Sequence, residues 1–326
     1  MKLVIFTICK DEEKTIGELL KRMPKKIKGI SKIETLVVSD GSTDRTVKIA
    51  QKHKATRVIE GVTQKRLAYR FRQAANEVLL MNADIAVNID GDLQFKPEDI
   101  PKLVEPILKG EAQFVAADRF TDSTTGIRRK PKNMPSNKYW ANRLGSWITG
   151  VLSGQSFRDV TCGFRAYSKD ALLAINIHSP YTYTQESFQI LAFKNFDIKS
   201  IPIGVKYYPG RKSRVVTSFT KFLFGSALNI LRAFRDYAPL KFFGTLGFVL
   251  FVPGIAMGTF TLVHWISKGA ITPYVTVGFI GLYLTTAAFF MWALGILADM
   301  FDRMLANQEK ILEETKIVKY SGLRKK

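Results

Sequence analysis

Two long stretches without a charged residue constrain this chain more than anything else in it. Residues 242–266 run for 25 positions, and residues 271–298 for another 28, with no Asp, Glu, Lys or Arg. A hydrocarbon core takes about 20 apolar residues of helix to cross. Inside lipid the backbone must satisfy its own hydrogen bonds, so each stretch has to be helical. The alternative is a hairpin buried in a soluble protein, but soluble helices rarely stay uncharged for so long. Ser267-Lys268-Gly269-Ala270 is the connection, which predicts a tight membrane hairpin.

The flanks predict its orientation. From Gly204 to Lys241 stand eight basic residues (Lys206, Arg211, Lys212, Arg214, Lys221, Arg232, Arg235 and Lys241) and one acid, Asp236. Such an excess belongs on the cytoplasmic side. Two crossings return residues 299–326 to that side, so both termini are expected in the cytoplasm. Within the same stretch Phe219, Phe222, Leu223, Leu228, Ile230, Leu231 and Phe234 recur at roughly helical spacing. That fits an amphipathic helix on the bilayer surface, or one packed on a soluble domain. The beginning reaches Lys10-Asp11-Glu12-Glu13 too soon for a signal peptide.

With 49 Lys+Arg against 28 Asp+Glu in 326 residues, the expected partner is anionic: phosphorylated substrate, anionic lipid or nucleic acid. The hairpin argues against nucleic acid. Cys9 and Cys162 show no metal-ligand spacing and read as small hydrophobes in a reducing compartment. His53, His178 and His264 form no ligand or triad pattern.

Ahead of the basic stretch, apolar runs alternate with helical patterns. Strands are predicted over 3–9, 33–39, 56–59, 83–90 and 113–116, and helices over 15–26, 43–53, 65–81 and 97–109. The alternation predicts an α/β domain with a mostly parallel sheet, in which ligands collect at the carboxyl ends of the strands. Carboxylates gather there: Asp11 and Glu12 after the first strand, Asp40 after the second, Asp90 and Asp92 after the fourth. In Asp90-Gly91-Asp92-Leu93-Gln94, two carboxylates on alternate residues can grip one divalent cation. Magnesium or manganese in such a site keeps positions open for substrate phosphates, which points to chemistry on a diphosphate. Short acidic pairs also end strands without binding anything; three strand ends together favour a site. In Asp40-Gly41-Ser42-Thr43-Asp44, Ser42 or Thr43 can cap the next helix and Asp44 suits its first turn. Asp40 can accept hydrogen bonds from the N–H groups of uracil or guanine. No GxGxxG follows a strand and no GxxxxGK[ST] occurs, so dinucleotide and P-loop readings lose their motif.

In order, Thr7-Ile8-Cys9-Lys10-Asp11-Glu12-Glu13-Lys14-Thr15-Ile16, Val38-Ser39-Asp40-Gly41-Ser42-Thr43-Asp44 and Asp90-Gly91-Asp92-Leu93-Gln94 with Pro97-Glu98 resemble family 2 glycosyltransferases of the GT-A fold. Within them the chain resembles the polyprenyl-phosphate hexosyltransferases, of the dolichyl-phosphate mannose and bacterial glucosyl types. The likeness continues through Asp118-Arg119-Phe120, Asp159-Val160-Thr161-Cys162-Gly163-Phe164-Arg165 and Tyr208-Pro209-Gly210-Arg211-Lys212-Ser213-Arg214 to the hairpin. It departs at Cys9-Lys10-Asp11, where the family prefers Pro-x-Tyr-Asn, and at Gln64-Lys65-Arg66, where usual glycines are missing.

The resemblance implies a GT-A catalytic domain over residues 1–214, a juxtamembrane amphipathic helix over 215–241, two transmembrane helices over 242–298 and a cytoplasmic tail over 299–326. It implies that Asp11 and Glu12 line the nucleoside pocket with Asp40 reading the base, Gly91 lies against the nucleotide, and Asp90, Asp92 and Gln94 hold Mg2+ or Mn2+ across the diphosphate. Arg119, Arg211, Ser213 and Arg214 would meet the phosphates of donor or acceptor. Arg128 and Arg129, with Lys130, Lys132 and Lys138, fit an acceptor loop or a solvated face. Asp159 could position the acceptor or metal, act as a base, or be structural. The reaction implied is inverting, metal-dependent transfer of mannose or glucose from GDP-mannose or UDP-glucose to a polyprenyl or dolichyl phosphate. Homo-oligomerisation stays open.

The acceptor's chemistry bears on the mechanism. A phosphate monoester has a second pKa of about 6 and is largely ionised at pH 7, so its oxygen can attack without a general base. The protein then has to offset repulsion between two anions and stabilise the departing nucleoside diphosphate. Two other readings compete. A processive polysaccharide synthase would carry QxxRW, but Gln185-Glu186-Ser187-Phe188-Gln189 lacks the tryptophan. A membrane-tethered binder of nucleotide or anionic lipid without catalysis is opposed by intact Asp90, Asp92 and Gln94.

Overall fold

The computed structural model describes residues 1–178, 183–208 and 219–321. The chain forms two compact units, Met1–Ile230 with Glu313–Lys326, and Leu231–Leu312.

The first unit opens with alternating strands and helices: β1 (Lys2–Cys9), α1 (Ile16–Arg22), β2 (Lys32–Ser39), α2 (Thr46–Lys52), β3 (Arg57–Glu60), α3 (Arg66–Leu80), β4 (Ile85–Asn88), a 3-10 turn at Pro97–Asp99, α4 (Ile100–Leu108) and β5 (Phe114–Asp118). There follow α5 (Ser136–Ser153), β6 (Arg165–Ser168), α6 (Lys169–Ala174), α7 (Thr184–Phe193) and β7 (Ile198–Pro202). Seven strands form one sheet in the order β3-β2-β1-β4-β6-β5-β7. It is parallel except for β6, which runs antiparallel to both β4 and β5. Leu3-Val4-Ile5-Phe6 in β1 is fully buried; a strand covered on both faces reads as a continuous apolar run rather than an alternation. Phe6 meets Phe71 of α3, whose ring stacks on Tyr183 at 3.9 Å.

Three elements differ from the sequence expectation. The fourth strand, expected over 83–90, stops at Asn88, so Asp90 and Asp92 lie in a turn beyond it, with Leu93 at φ 57°. β6 had no periodic signal, being four residues long and led by a fully buried arginine. The third difference lies in the C-terminal helices.

These are α8 (Phe219–Tyr237), α9 (Pro239–Lys268) and α10 (Val275–Ser321). α9 and α10 are long and apolar enough to cross a membrane. They approach through small residues. A Cβ on Gly254 would lie 2.8 Å from the backbone N of Thr285, and one on Gly281 would lie 2.8 Å from the backbone N of Gly258. Gly254 and Gly258 thus let two backbones meet, as small residues four apart do between membrane helices. The last helix extends well past the apolar stretch that ends at 298. α10 runs unbroken to Ser321 because residues 299–321 hold neither Gly nor Pro and add an Arg303–Asp299 pair at i,i+4.

Candidate functional site

The strand order makes the site. From β1 the chain winds outward to β2 and β3, then returns to β4 on the other side of β1. The gap between β1 and β4 is therefore the topological switch point, where open α/β sheets bind ligands beyond their carboxyl ends. β6 enters the sheet from that same edge, since Arg165 pairs with Asn88 at the end of β4.

The turns after β1 and β2 are laced together. Asp11, at φ 52°, accepts the Thr43 N–H at 2.8 Å and receives support from Ser42, whose Oγ accepts the Asp11 N–H at 3.1 Å. Glu12 is buried; its N–H donates to Thr46 Oγ1 at 2.8 Å and its carboxylate accepts Thr15 Oγ1–H at 3.0 Å. The capping expected of Ser42 and Thr43 is not what these residues do: α2 begins at Thr46, and Asp44 Oδ1 accepts the Thr46 N–H. Asp40 is also differently engaged. Its Oδ1 accepts the Lys65 N–H at 2.7 Å and Arg70 Nε–H at 2.9 Å, and its Oδ2 accepts the Arg66 N–H at 3.1 Å. Three of four lone-pair positions are filled, so Asp40 braces the start of α3. Arg70, which sequence reasoning missed, reaches over from α3 to do this. Gly41 makes the approach possible, because at φ 67° a Cβ would fall 2.8 Å from the Gln64 nitrogen.

Asp90 and Asp92 follow β4. Asp92 Oδ1 accepts the Gln94 N–H at 3.0 Å, and Gln94 O accepts from Lys206 N at 2.9 Å, so Gln94 enters this geometry through its backbone. Asp90 lies against a cradle at Gly163. A Cβ there would stand 2.9 Å from Asp90 Oδ1 and 3.1 Å from Oδ2. Gly91 turns tightly beside β1, where a Cβ would meet that of Cys9 at 3.0 Å. Burial, then the Asp92 charge, push the Asp90 carboxyl up to about 7.

This donor set fits a hard divalent cation. It offers oxygen only, its carboxylates repel each other, and a dication would relieve both that repulsion and the cost of burial. No group of three or more His, Cys, Asp or Glu residues able to hold a metal occurs among the described residues, so the remaining coordination has to come from water and substrate oxygens. That is how magnesium sites at phosphates are commonly built.

Across the switch point lies a cationic cluster. Arg119, just past β5, grips Asp159 bidentately, Nε to Oδ2 at 2.6 Å and Nη2 to Oδ1 at 2.8 Å. It also donates to Thr161 Oγ1 at 2.6 Å and to Tyr207 Oη at 3.2 Å. Asp159 is fully buried. Burial alone would raise its carboxyl, but Arg119 holds it below the usual range. Thr161 N–H and Oγ1–H also donate to Oδ1, at 3.1 and 3.0 Å. A carboxylate so fully used makes a poor base, and its contacts hold the Arg119 guanidinium in place. Lys138 of α5 stands 5.3 Å from the Tyr207 ring, its pKa lowered by burial and by the Arg119 cation. Two cations thus converge at Tyr207.

Arg165 is a second residue the sequence motif gave no role. It is completely buried and donates to Cys162 O, Ser187 Oγ, Val160 O and Thr184 O at 2.6–2.9 Å. The guanidinium ties the 160–165 turn, and with it Gly163, to α7. Arg128 and Arg129 lie on the loop before α5, outside this cluster of contacts: Arg129 pairs with Asp122, and Arg128 lines a cleft against α5. Arg211, Ser213 and Arg214 lie outside the described residues. Cys9 and Cys162 are buried free thiols, pushed up to about 12 chiefly by burial.

Comparison with known proteins agrees with this architecture. The chain is 25% identical over 281 residues to the glycosyltransferase AglJ of Haloferax volcanii, covering 86% of this chain and 88% of that one. It is 29% identical over 217 residues to the UDP-N-acetylglucosamine–dolichyl-phosphate N-acetylglucosaminyltransferase of Methanococcus voltae, covering 57% and 81%. Its fold matches glucosyl-3-phosphoglycerate synthase of Mycobacterium tuberculosis, solved with Mn2+, UDP-glucose and phosphoglyceric acid. The TM-score is 0.52 at 19% identity, over 72% of this chain and 79% of that one, a likeness of fold alone. Residues 4–175 match the model of glycosyl transferase family 2; the chain belongs to that family and is a glycosyltransferase.

Proposed function

We propose that this enzyme transfers a hexose from a nucleotide diphosphate sugar to a polyprenyl or dolichyl phosphate, with inversion at the anomeric carbon and with Mg2+ or Mn2+. The observation that carries the proposal is the facing of two unlike charge clusters at the switch point. Asp90 and Asp92, repelling each other in a half-buried turn, suit a cation and a diphosphate. Arg119 and Lys138, converging on Tyr207, suit a second anion. The dolichyl-phosphate acceptor in the name of the Methanococcus relative supports the lipid class, and the apolar hairpin supports a membrane setting.

A divalent cation bound by Asp90 and Asp92 would hold the diphosphate and offset charge growing on the leaving group. The chain's own residues do the rest. Asp159 and Thr161 fix the Arg119 guanidinium, so that it meets developing charge without reorganising. Lys138 adds a second positive charge near the attacking phosphate. No base is needed for an oxygen already ionised, in keeping with the full engagement of Asp159. Asp11 and Glu12 border the nucleoside side, and Gly91 keeps the turn low enough for the nucleotide. Arg211, Ser213 and Arg214 complete the acceptor side on this reading. Residues 1–214 are the catalytic domain, 215–241 the juxtamembrane helix and 242–298 a membrane holder. The catalytic domain and both termini are cytoplasmic. Release of nucleoside diphosphate from UDP-glucose or GDP-mannose, measured with and without divalent cation and with polyprenyl phosphate, tests the proposal. Release that ignores both metal and acceptor would refute it.

A further inference from the structure

Helix α5 is amphipathic in the wrong sense for a water-facing helix. Its inward residues include Asn142, Ser146 and Thr149, buried to 5%, 1% and 0% exposure, and Gly150. The two hydroxyls are satisfied locally. Ser146 Oγ–H donates to Asn142 O at 2.9 Å and its Oγ accepts the Val160 N–H at 3.1 Å, while Thr149 Oγ1–H donates to Gly145 O at 2.8 Å. Gly150 permits a close crossing, since a Cβ would lie 2.6 Å from Gln155 O. The outward stripe is Trp140, Leu144, Trp147 and Val151, at 62%, 54%, 64% and 59% exposure. Their spacing of four, three and four puts them on one face.

The stripe borders a cleft of about 600 Å3 walled by Arg128, Arg143 and Arg158. From Arg128 to Arg158 the sequence holds seven basic residues and no acid. Arg143 stands over the Trp140 ring at 5.5 Å. Exposed tryptophans mixed with arginines, and no carboxylate among them, match a lipid headgroup layer: apolar rings at its inner edge, cations on its phosphates. A second copy of the chain would set the same three arginines against one another.

We infer that the α5 face docks onto the surface of an anionic phospholipid bilayer, with Trp140 and Trp147 at headgroup depth and Arg143 on lipid phosphate. This rests on the membrane-tethered reading of the hairpin, and the test separates the two. The chain has four tryptophans, Trp140, Trp147, Trp265 and Trp292. Wild type, W140F/W147F and W265F/W292F would be reconstituted as full chains in phosphatidylglycerol–phosphatidylcholine vesicles. The lipids are plain or brominated near the headgroup end of the acyl chain.

Emission of W265F/W292F, which reports α5 alone, should fall roughly twofold on brominated lipid, because an interfacial helix seats its apolar face about 5–10 Å deep. If that variant cannot be made, the difference between wild type and W140F/W147F reads the same contribution. Arg143→Glu should weaken the quenching on anionic vesicles. Unquenched α5 tryptophans beside quenched Trp265 and Trp292 would overturn the inference and leave the membrane reading intact. No quenching at either pair would overturn both. Equal quenching on purely zwitterionic vesicles would refute the anionic surface, and quenching that required added polyprenyl phosphate would make the stripe an acceptor groove instead.

Discussion

Replacing Gly163 by alanine tests how tightly the Asp90–Asp92 turn is held. A Cβ at this position would stand 2.9 Å from Asp90 Oδ1, 3.1 Å from Oδ2 and 3.4 Å from Cγ. Ordinary carbon–oxygen contact begins near 3.4 Å, so the carboxylate must retreat by roughly 0.5 Å. Asp90 can do this because only its side-chain end is struck, whereas the backbone of Gly163 is pinned by Asn88 Nδ2–H donating to its carbonyl at 2.8 Å. The fold should tolerate the change: Gly163 has no positive φ, and Gly→Ala at a compatible position gains about 0.4–1 kcal/mol through the unfolded chain. The chemistry should not. Misplacement of a reacting group by 1 Å can cost about a hundredfold, so half that shift predicts a loss in kcat of about tenfold. The half-saturating concentration of divalent cation should rise with it. Initial rates of nucleoside diphosphate release across a manganese titration, with a thermal melt alongside, make the measurement. Wild-type kcat and metal dependence in Gly163→Ala would refute the cradle, and a melt lowered by several degrees would show a folding defect instead.

Three further outcomes follow from the same geometry. Asp159→Asn breaks a buried bidentate pair and should destabilise by about 3–5 kcal/mol, with kcat falling as Arg119 loosens; a lost acid limb in the pH profile with an unchanged melt would instead restore Asp159 as a base. Arg165→Met removes the guanidinium donors from Cys162 O and Val160 O in the core and should cost about 3 kcal/mol or more, read by chemical denaturation; a neutral effect would mean that water replaces the guanidinium. For Asp90, a folded pKa raised to about 7 means the metal-free native state holds a proton that the unfolded state has lost. This group therefore lowers stability progressively as pH rises from about 4 to 7, and the penalty is complete above 7. The melting gain from added Mn2+ should accordingly be larger at pH 8 than at pH 6, and this difference should vanish in Asp90→Asn.

The first half of the fold is legible in sequence because its strands are covered on both faces. Leu3-Val4-Ile5-Phe6 and Leu36-Val37-Val38 are unbroken apolar runs, and Asp90-Gly91-Asp92 announces itself where the fourth run stops. What stays hidden depends on distant partners. Arg165 reads as a surface charge until carbonyls from two separate segments and the faces of Phe114, Tyr183 and Phe188 collect around it, and with it β6 goes unseen. Nothing local to Asp40 reveals Arg70, which approaches it from 30 residues away. The outward face of α5 was unreadable for the opposite reason: Trp140, Leu144, Trp147 and Val151 form a proper helical stripe, and periodicity alone assigns such a stripe to the core. The length of α10 was legible in principle, from the lack of Gly and Pro between Gly295 and Gly322, but the loss of hydrophobicity at Asp299 masks it.

On the proposed function, paired carboxylates at the β1–β4 switch point serve sugar transfer to a lipid phosphate. Membranes holding the full chain would be incubated with radiolabelled UDP- and GDP-hexoses, polyprenyl phosphate and Mg2+ or Mn2+, and the organic extract analysed. One donor's label should enter a lipid as a sugar monophosphate ester of inverted anomeric configuration, with loss on chelation and in Asp92→Asn despite an unchanged melt. Label retained in the extract by Asp92→Asn at the wild-type rate, or incorporated into polymer rather than lipid, would contradict it.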